Sequence, residues 1–200
     1  MEFFTRNNIE RVSESIKHVV NPEYSIQNLL KDAKYSDTIA NKEKLADAYA
    51  AKGQYHQAIA LYESCLEGFN QADMGILTKM MVAKYFVSDY EGVVIAGDKL
   101  DGQPAFDKSE SQAVYAWSLY YIGQDTKADE VFQSMNVRYS HYAQRSEYAK
   151  YLIETQRADE AKALLESLVD EFDGMDKTAL RQKKAIKKEI MGLLKDVGRY

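Results

Sequence analysis

Proline is nearly absent from this chain, with two residues in 200. Together with only ten glycines, this excludes a collagen-like or linker-rich protein. A single cysteine, Cys65, allows no disulfide within the chain and requires no oxidising compartment. No apolar run approaches the roughly 20 residues that a helix needs to cross a bilayer. The opening residues Met1 to Arg6 lack a basic segment followed by an apolar stretch, so no signal peptide is expected. The expected location is the cytoplasm, with the alternative that the chain is the soluble part of a membrane-anchored protein. Positive charge is also in short supply. Lys and Arg number 26 against 31 Asp and Glu, a formal net charge of −5. A dedicated nucleic-acid binder needs a basic footprint for phosphate, so that class is disfavoured.

Recognisable reaction chemistry is equally sparse. There is no Walker-type phosphate loop and no GxGxxG turn. The three histidines, His18, His56 and His141, stand far apart without HxxxH or HExxH spacing, whereas metal sites need clustered ligands. Cys65 has no histidine placed by the pattern to activate it, and reads as a small buried hydrophobe. The acidic pairs Asp129-Glu130 and Asp159-Glu160 follow turns, where carboxylates favour the positive end of a helix dipole. No catalytic residue, cofactor or metal ligand is assigned, and an enzyme is not expected.

What the chain does have is 46% hydrophobic residues, enough for a real core, and a small-residue anchor that recurs. Ala58, Val93, Ala128 and Ala161 occupy the same local frame at separations of 35, 35 and 33 residues. The fullest copy reads LADAYAAKGQYHQAIALYESCL, from Leu45 to Leu66. Around each anchor, apolar residues follow the i, i+3, i+4, i+7 spacing of an amphipathic helix. Tyr55, Ala58, Ile59, Tyr62, Cys65 and Leu66 show it in the first copy. A short turn precedes each anchor helix, at Gly53, Ser88, Gly123 and Gln156, so the flanking helices must be antiparallel neighbours. A period in the mid-thirties with two helices per copy means stacked helix pairs, since no single pair can bury its own apolar face.

These residues resemble the tetratricopeptide repeat. Leu45, Ala46, Tyr49, Gly53, Tyr55, Ala58, Tyr62 and Cys65 occupy the places where that family has Leu-Gly, Tyr, a turn Gly, Tyr, Ala, an aromatic and a final Ala. The resemblance runs from about Ile39 to Phe172; Lys42 replaces the early aromatic and the loop proline is missing. It implies an all-α, right-handed superhelical solenoid of antiparallel helix pairs, similar to divergent bacterial members of the family. The expected organisation is N-terminal helices in 1–38, about four helix pairs in 39–174, and an amphipathic capping helix in 175–200. Within the first segment, Ile9, Val12, Ile16 and Val19 predict a helix stopped by Pro22, and Ser25 a cap for a second one. The last is expected to run from about Lys177 to Val197, with Asp176 as its cap.

By the same resemblance the first helix of each pair lines a concave face, and the chain is a non-enzymatic scaffold or adaptor. It would bind a peptide or helix of another protein there. The family's groove positions carry over to Val82, Tyr85, Phe86, Trp117, Tyr120, Tyr121 and Lys150. Glu43 and Asp47 at one end would suit a basic end of the partner. The rings at 85, 86, 120 and 121 have two readings, groove lining or core, while Trp117 falls a turn away from the packing positions Tyr115 and Leu119. A homo-oligomer through the same rings is a further expectation. A second candidate surface is basic: Lys177, Arg181, Lys184, Lys188 and Lys195 share one side of the terminal helix. It reads either as a solvated face or, in the alternative function, as a dock for RNA or an anionic membrane surface.

Overall fold

The computed structural model describes residues 26–198, and its regular elements are helices, with no strand among the described residues. The chain divides into two compact units that part between Gly123 and Gln124. None of the described helices is long and apolar enough to cross a membrane. The helix expected around Ile9 to Val19, and the Ser25 cap, lie outside the described residues.

The first unit contains α1 (Ile26–Tyr35), α2 (Ile39–Ala51), α3 (Tyr55–Cys65), α4 (Met74–Phe86), α5 (Tyr90–Gly97) and α6 (Ser111–Tyr121). Each helix packs on the next in sequence, and α4 also packs on α6. The second unit contains α7 (Asp125–Ser134), α8 (Tyr142–Glu154), α9 (Ala158–Asp173), α10 (Lys177–Gln182) and α11 (Lys184–Val197). There α8 packs on α7 and α9, and α11 packs on both α8 and α9.

The recurring frame is a burial frame. Ala58, Val93, Ala128 and Ala161 are each 0% exposed. One turn on, Tyr62, Gly97, Phe132 and Leu165 are buried, and after them Cys65, Leu100, Met135 and Leu168. In the first helices of the four copies the equivalent positions Ala46, Met81, Ala116 and Ala149 are fully buried as well. The frame alternates small residues, where backbones approach, with large ones that fill the space between. Each large apolar side chain removed from water in this way contributes about 1.5–3 kcal/mol.

The turns inside the copies also share one geometry. Gly53, Ser88, Gly123 and Gln156 have φ of 74°, 60°, 79° and 60°, all left-handed. In the first copy the Gly53 amide donates to the Ala50 carbonyl and the Gln54 amide to that of Tyr49. The Ser88 and Asp89 amides repeat this on Tyr85 and Lys84, and those of Gln156 and Arg157 on Ile153 and Leu152. This is a Schellman turn, which satisfies the last carbonyls of one helix while the chain reverses into the next. Starts are capped by side chains where the sequence offers them. Asp73 accepts from the Ile76 amide, Asp89 from Gly92 and Asp176 from Thr178 and Ala179.

Two features differ from the expected organisation. Helix pairs are expected throughout 39–174, and the two compact units part within that span, inside the turn of the third copy. The packing of α6 on α4 and α5, and of α7 on α8, accounts for this. The terminal segment is two helices with a break at Lys183 (φ −98°, ψ 12°). No residue of α10 is buried, whereas α11 buries Ile190, Leu193 and Val197, so only the second piece is held by packing.

Candidate functional site

The aromatic residues singled out by the sequence gather at the carboxyl ends of α4 and α6. Because Tyr85 lies in the last turn of α4, the Schellman turn at Ser88 brings Tyr90, the first residue of α5, back beside it at 5.5 Å between ring centroids. The last two turns of α6 carry Trp117, Tyr120 and Tyr121. Tyr121 lies 4.6 Å from Tyr90, 6.3 Å from Tyr85 and 6.0 Å from Trp117, and Tyr120 is 6.0 Å from Trp117. Five rings therefore form one connected set on three helices, and aromatic pairs at such distances contribute about 0.5–1.5 kcal/mol each beyond area burial.

Exposure grades across this set. Trp117 is 9% exposed, Tyr85 7% and Tyr121 37%, with Tyr90 and Tyr120 half-buried. The buried rings form a rigid base and Tyr121 the accessible edge. Phe86 lies elsewhere, stacked on Tyr55 at 4.3 Å with the ring planes 2° apart. That stack and the Tyr90–Tyr121 contact are the same contact one copy later, since both partners advance by 35 residues. Helical spacing sets Tyr55, and Tyr90 one copy later, in the apolar stripe of the second helices, without their ring partners. The signal that would have found them was the shared 35-residue step, applied to both partners of a pair.

The remaining groove candidates are buried. Asp47, Val82, Trp117 and Lys150 hold one frame position in the four copies, and each is buried. Asp47 accepts from the Tyr62 hydroxyl at 2.6 Å and from Lys79 Nζ at 2.7 Å, and Lys79 also reaches Glu43 at 2.8 Å. Burial opposes the charge on Lys79, but Asp47 and Glu43 outweigh it and hold its pKa above the ordinary lysine value. Burial, reinforced by the Asp47 charge, pushes the Tyr62 phenol far up. Lys79 of the same unit thus pairs with both carboxylates of the end expected to suit a basic partner residue. In the second unit, Lys150 pairs with Glu147 at 2.8 Å and with Glu189 of α11 at 2.7 Å. Its ammonium serves the packing of α11 on α8 and is engaged there.

Cys65 is buried, its thiol 3.8 Å from the Ile39 carbonyl, and burial raises its pKa, which matches a small core residue. Among the described residues no group of His, Cys, Asp and Glu is arranged to hold a metal ion. The basic candidates sit on α10 and α11. Lys177, Arg181, Lys184, Lys188 and Lys195 are all exposed.

Compared with known proteins, residues 43–69 match the family model described as the tetratricopeptide repeat. The matched segment covers most of α2, the Schellman turn at Gly53 and all of α3. No curated protein and no solved structure matches the chain.

Proposed function

The chain carries a tetratricopeptide repeat, a unit that generally mediates contact between proteins, and from that premise we propose that it is a non-enzymatic scaffold. It docks an apolar or aromatic segment of another protein, as peptide or helix, on the ring set of its first unit. The observation that carries this reading is the graded exposure of that set: Tyr121, more than a third exposed, stands on a base of Tyr85 and Trp117 that is almost fully buried. A ring already held in place offers a large contact area with little entropy left to lose, which is how aromatic anchors concentrate binding energy.

The test follows from the same gradient. Trp117→Ala would remove buried packing and confound binding with stability, so the informative variant is Tyr120→Ala/Tyr121→Ala. A photo-crosslinking residue at position 121 should capture a partner, and recovery of that partner by the Tyr120→Ala/Tyr121→Ala chain should drop several-fold at a temperature where circular dichroism shows both chains folded. A crosslinker at the exposed Ile95, on α5, should not capture it. Equal capture from positions 95 and 121 would count against the aromatic surface.

A further inference from the structure

Between 177 and 188 the chain places six cations and no acid, and the α10–α11 junction turns part of that run into a groove. A cavity of about 570 Å³ opens there, lined by Lys177, Arg181, Lys184 and Lys188 together with the apolar side chains of Leu180 and Met191. Lys187 also lines it, but is tied to Asp173 at 3.0 Å. The first four cations are exposed, and none forms an ion pair among the described residues. Met191 is 51% exposed although it lies in the middle of an ordered helix. Lys195, which helical spacing sets on the same side, does not line the groove.

We propose that this groove docks an acidic segment of a partner protein. Its carboxylates would pair with Lys177, Arg181, Lys184 and Lys188, and an apolar side chain would rest against Leu180 and Met191. Charge complementarity makes the first part of the argument, since four like charges around one cavity repel each other until an anion enters. The apolar lining makes the second, because Leu180 and Met191 lie among the cations, where an apolar side chain of the same segment can cover them. A bilayer suits the site less well. An interfacial helix sinks an apolar face into the lipid, yet the apolar face of α11, Ile190, Leu193 and Val197, is buried where α11 packs on α8 and α9. Single-stranded nucleic acid suits it less too, because that recognition rests on stacking aromatics and no ring lines this cavity. The surface is in a different unit from the aromatic set, so each reading can fail without the other.

The test is fluorescence anisotropy of a fluorescein-labelled peptide in which leucines alternate with Glu-Asp pairs, titrated with the full chain. Binding should weaken about tenfold or more in Lys184→Glu/Lys188→Glu, as reversal of two cations at the contact implies. It should weaken with rising salt, and again when serine replaces leucine in the peptide or Met191 in the chain. Lys162→Glu, at an exposed lysine of α9 outside the groove, should bind as the parent does. All the altered side chains are exposed, so far-ultraviolet circular dichroism should be unchanged. The proposal is overturned if the peptide does not bind, or binds the double variant as tightly as the parent. It is equally overturned if the chain sediments with phosphatidylserine–phosphatidylcholine vesicles while the peptide anisotropy stays flat, a result that would assign the surface to membranes.

Discussion

Gly97 holds the frame position that Tyr62, Phe132 and Leu165 hold in the other copies, and the difference has a physical reason. The Tyr115 ring fills the space, and a Cβ added at Gly97 would overlap it. The Tyr115 hydroxyl donates to Asp98 at 2.5 Å, which fixes the ring there. Helix propensity alone favours alanine over glycine by about 1 kcal/mol, whereas overpacking a buried position costs about 1–3 kcal/mol. The clash should win, so Gly97→Ala is expected to lower the urea midpoint; a raised midpoint would show that Tyr115 can move. A second residue-scale prediction concerns the buried pair Arg145 and Glu171, each with a side chain 1% exposed. Arg145 Nη1 donates to both Glu171 oxygens, at 2.9 and 2.8 Å, and the Tyr139 amide donates to one of them at 2.8 Å. Burial opposes the Glu171 charge, but these donors outweigh it and hold its carboxyl below the ordinary glutamate value. A carboxyl with a lowered folded pKa stabilises above its unfolded value of about 4.3 and loses that contribution as the pH falls through the folded value. The second unit should therefore keep this contribution at neutral pH and lose it only under acid conditions. Glu171→Gln leaves Arg145 buried without its counter-charge, a loss of about 3–5 kcal/mol, and denaturant unfolding at pH 7 and at acid pH would show the gap between parent and variant close as the pH drops.

At the scale of elements, the turns carry the most transferable lesson. Two of the four left-handed turn residues are not glycine, and for any other residue that conformation costs about 1–2 kcal/mol. Ser88 and Gln156 accept the cost because the Schellman hydrogen bonds and the packed helices on both sides leave the chain no other path. Ser88→Gly and Gln156→Gly should each stabilise the unit that contains them, by up to about 1 kcal/mol after the flexibility of glycine in the unfolded chain is subtracted. A thermal midpoint that fell in both variants would mean that the serine and glutamine side chains contribute more than the turn geometry does. The helix pairs, their turns and the buried anchors were legible because all three follow from local period and residue size. The fate of the inner position was not. By the family frame Asp47, Val82, Trp117 and Lys150 face a groove, yet each is buried. Asp47 is closed over by Tyr62 and Lys79, Trp117 packs with Tyr120 and Tyr121, and Lys150 is held by Glu189. The partners of Asp47 and Lys150 come from other helices, so helical spacing alone could not reveal them.

For the whole molecule, the sequence repeat and the physical unit are different divisions. The 35-residue period is continuous through the third copy, while the compact units part at its turn, between Gly123 and Gln124. A periodic pattern records what each helix buries, not which neighbour it buries against. The two candidate surfaces fall on opposite sides of that division, the aromatic set before it and the basic groove after it. Trp117, the sole tryptophan, lies in the first unit, set against Tyr120 and Tyr121 beside the exposed edge. Its emission is thus an optical label built into one unit only. It reports on the surroundings of the aromatic surface, while the Glu171 pair and the α10–α11 groove belong to the unit that has no tryptophan.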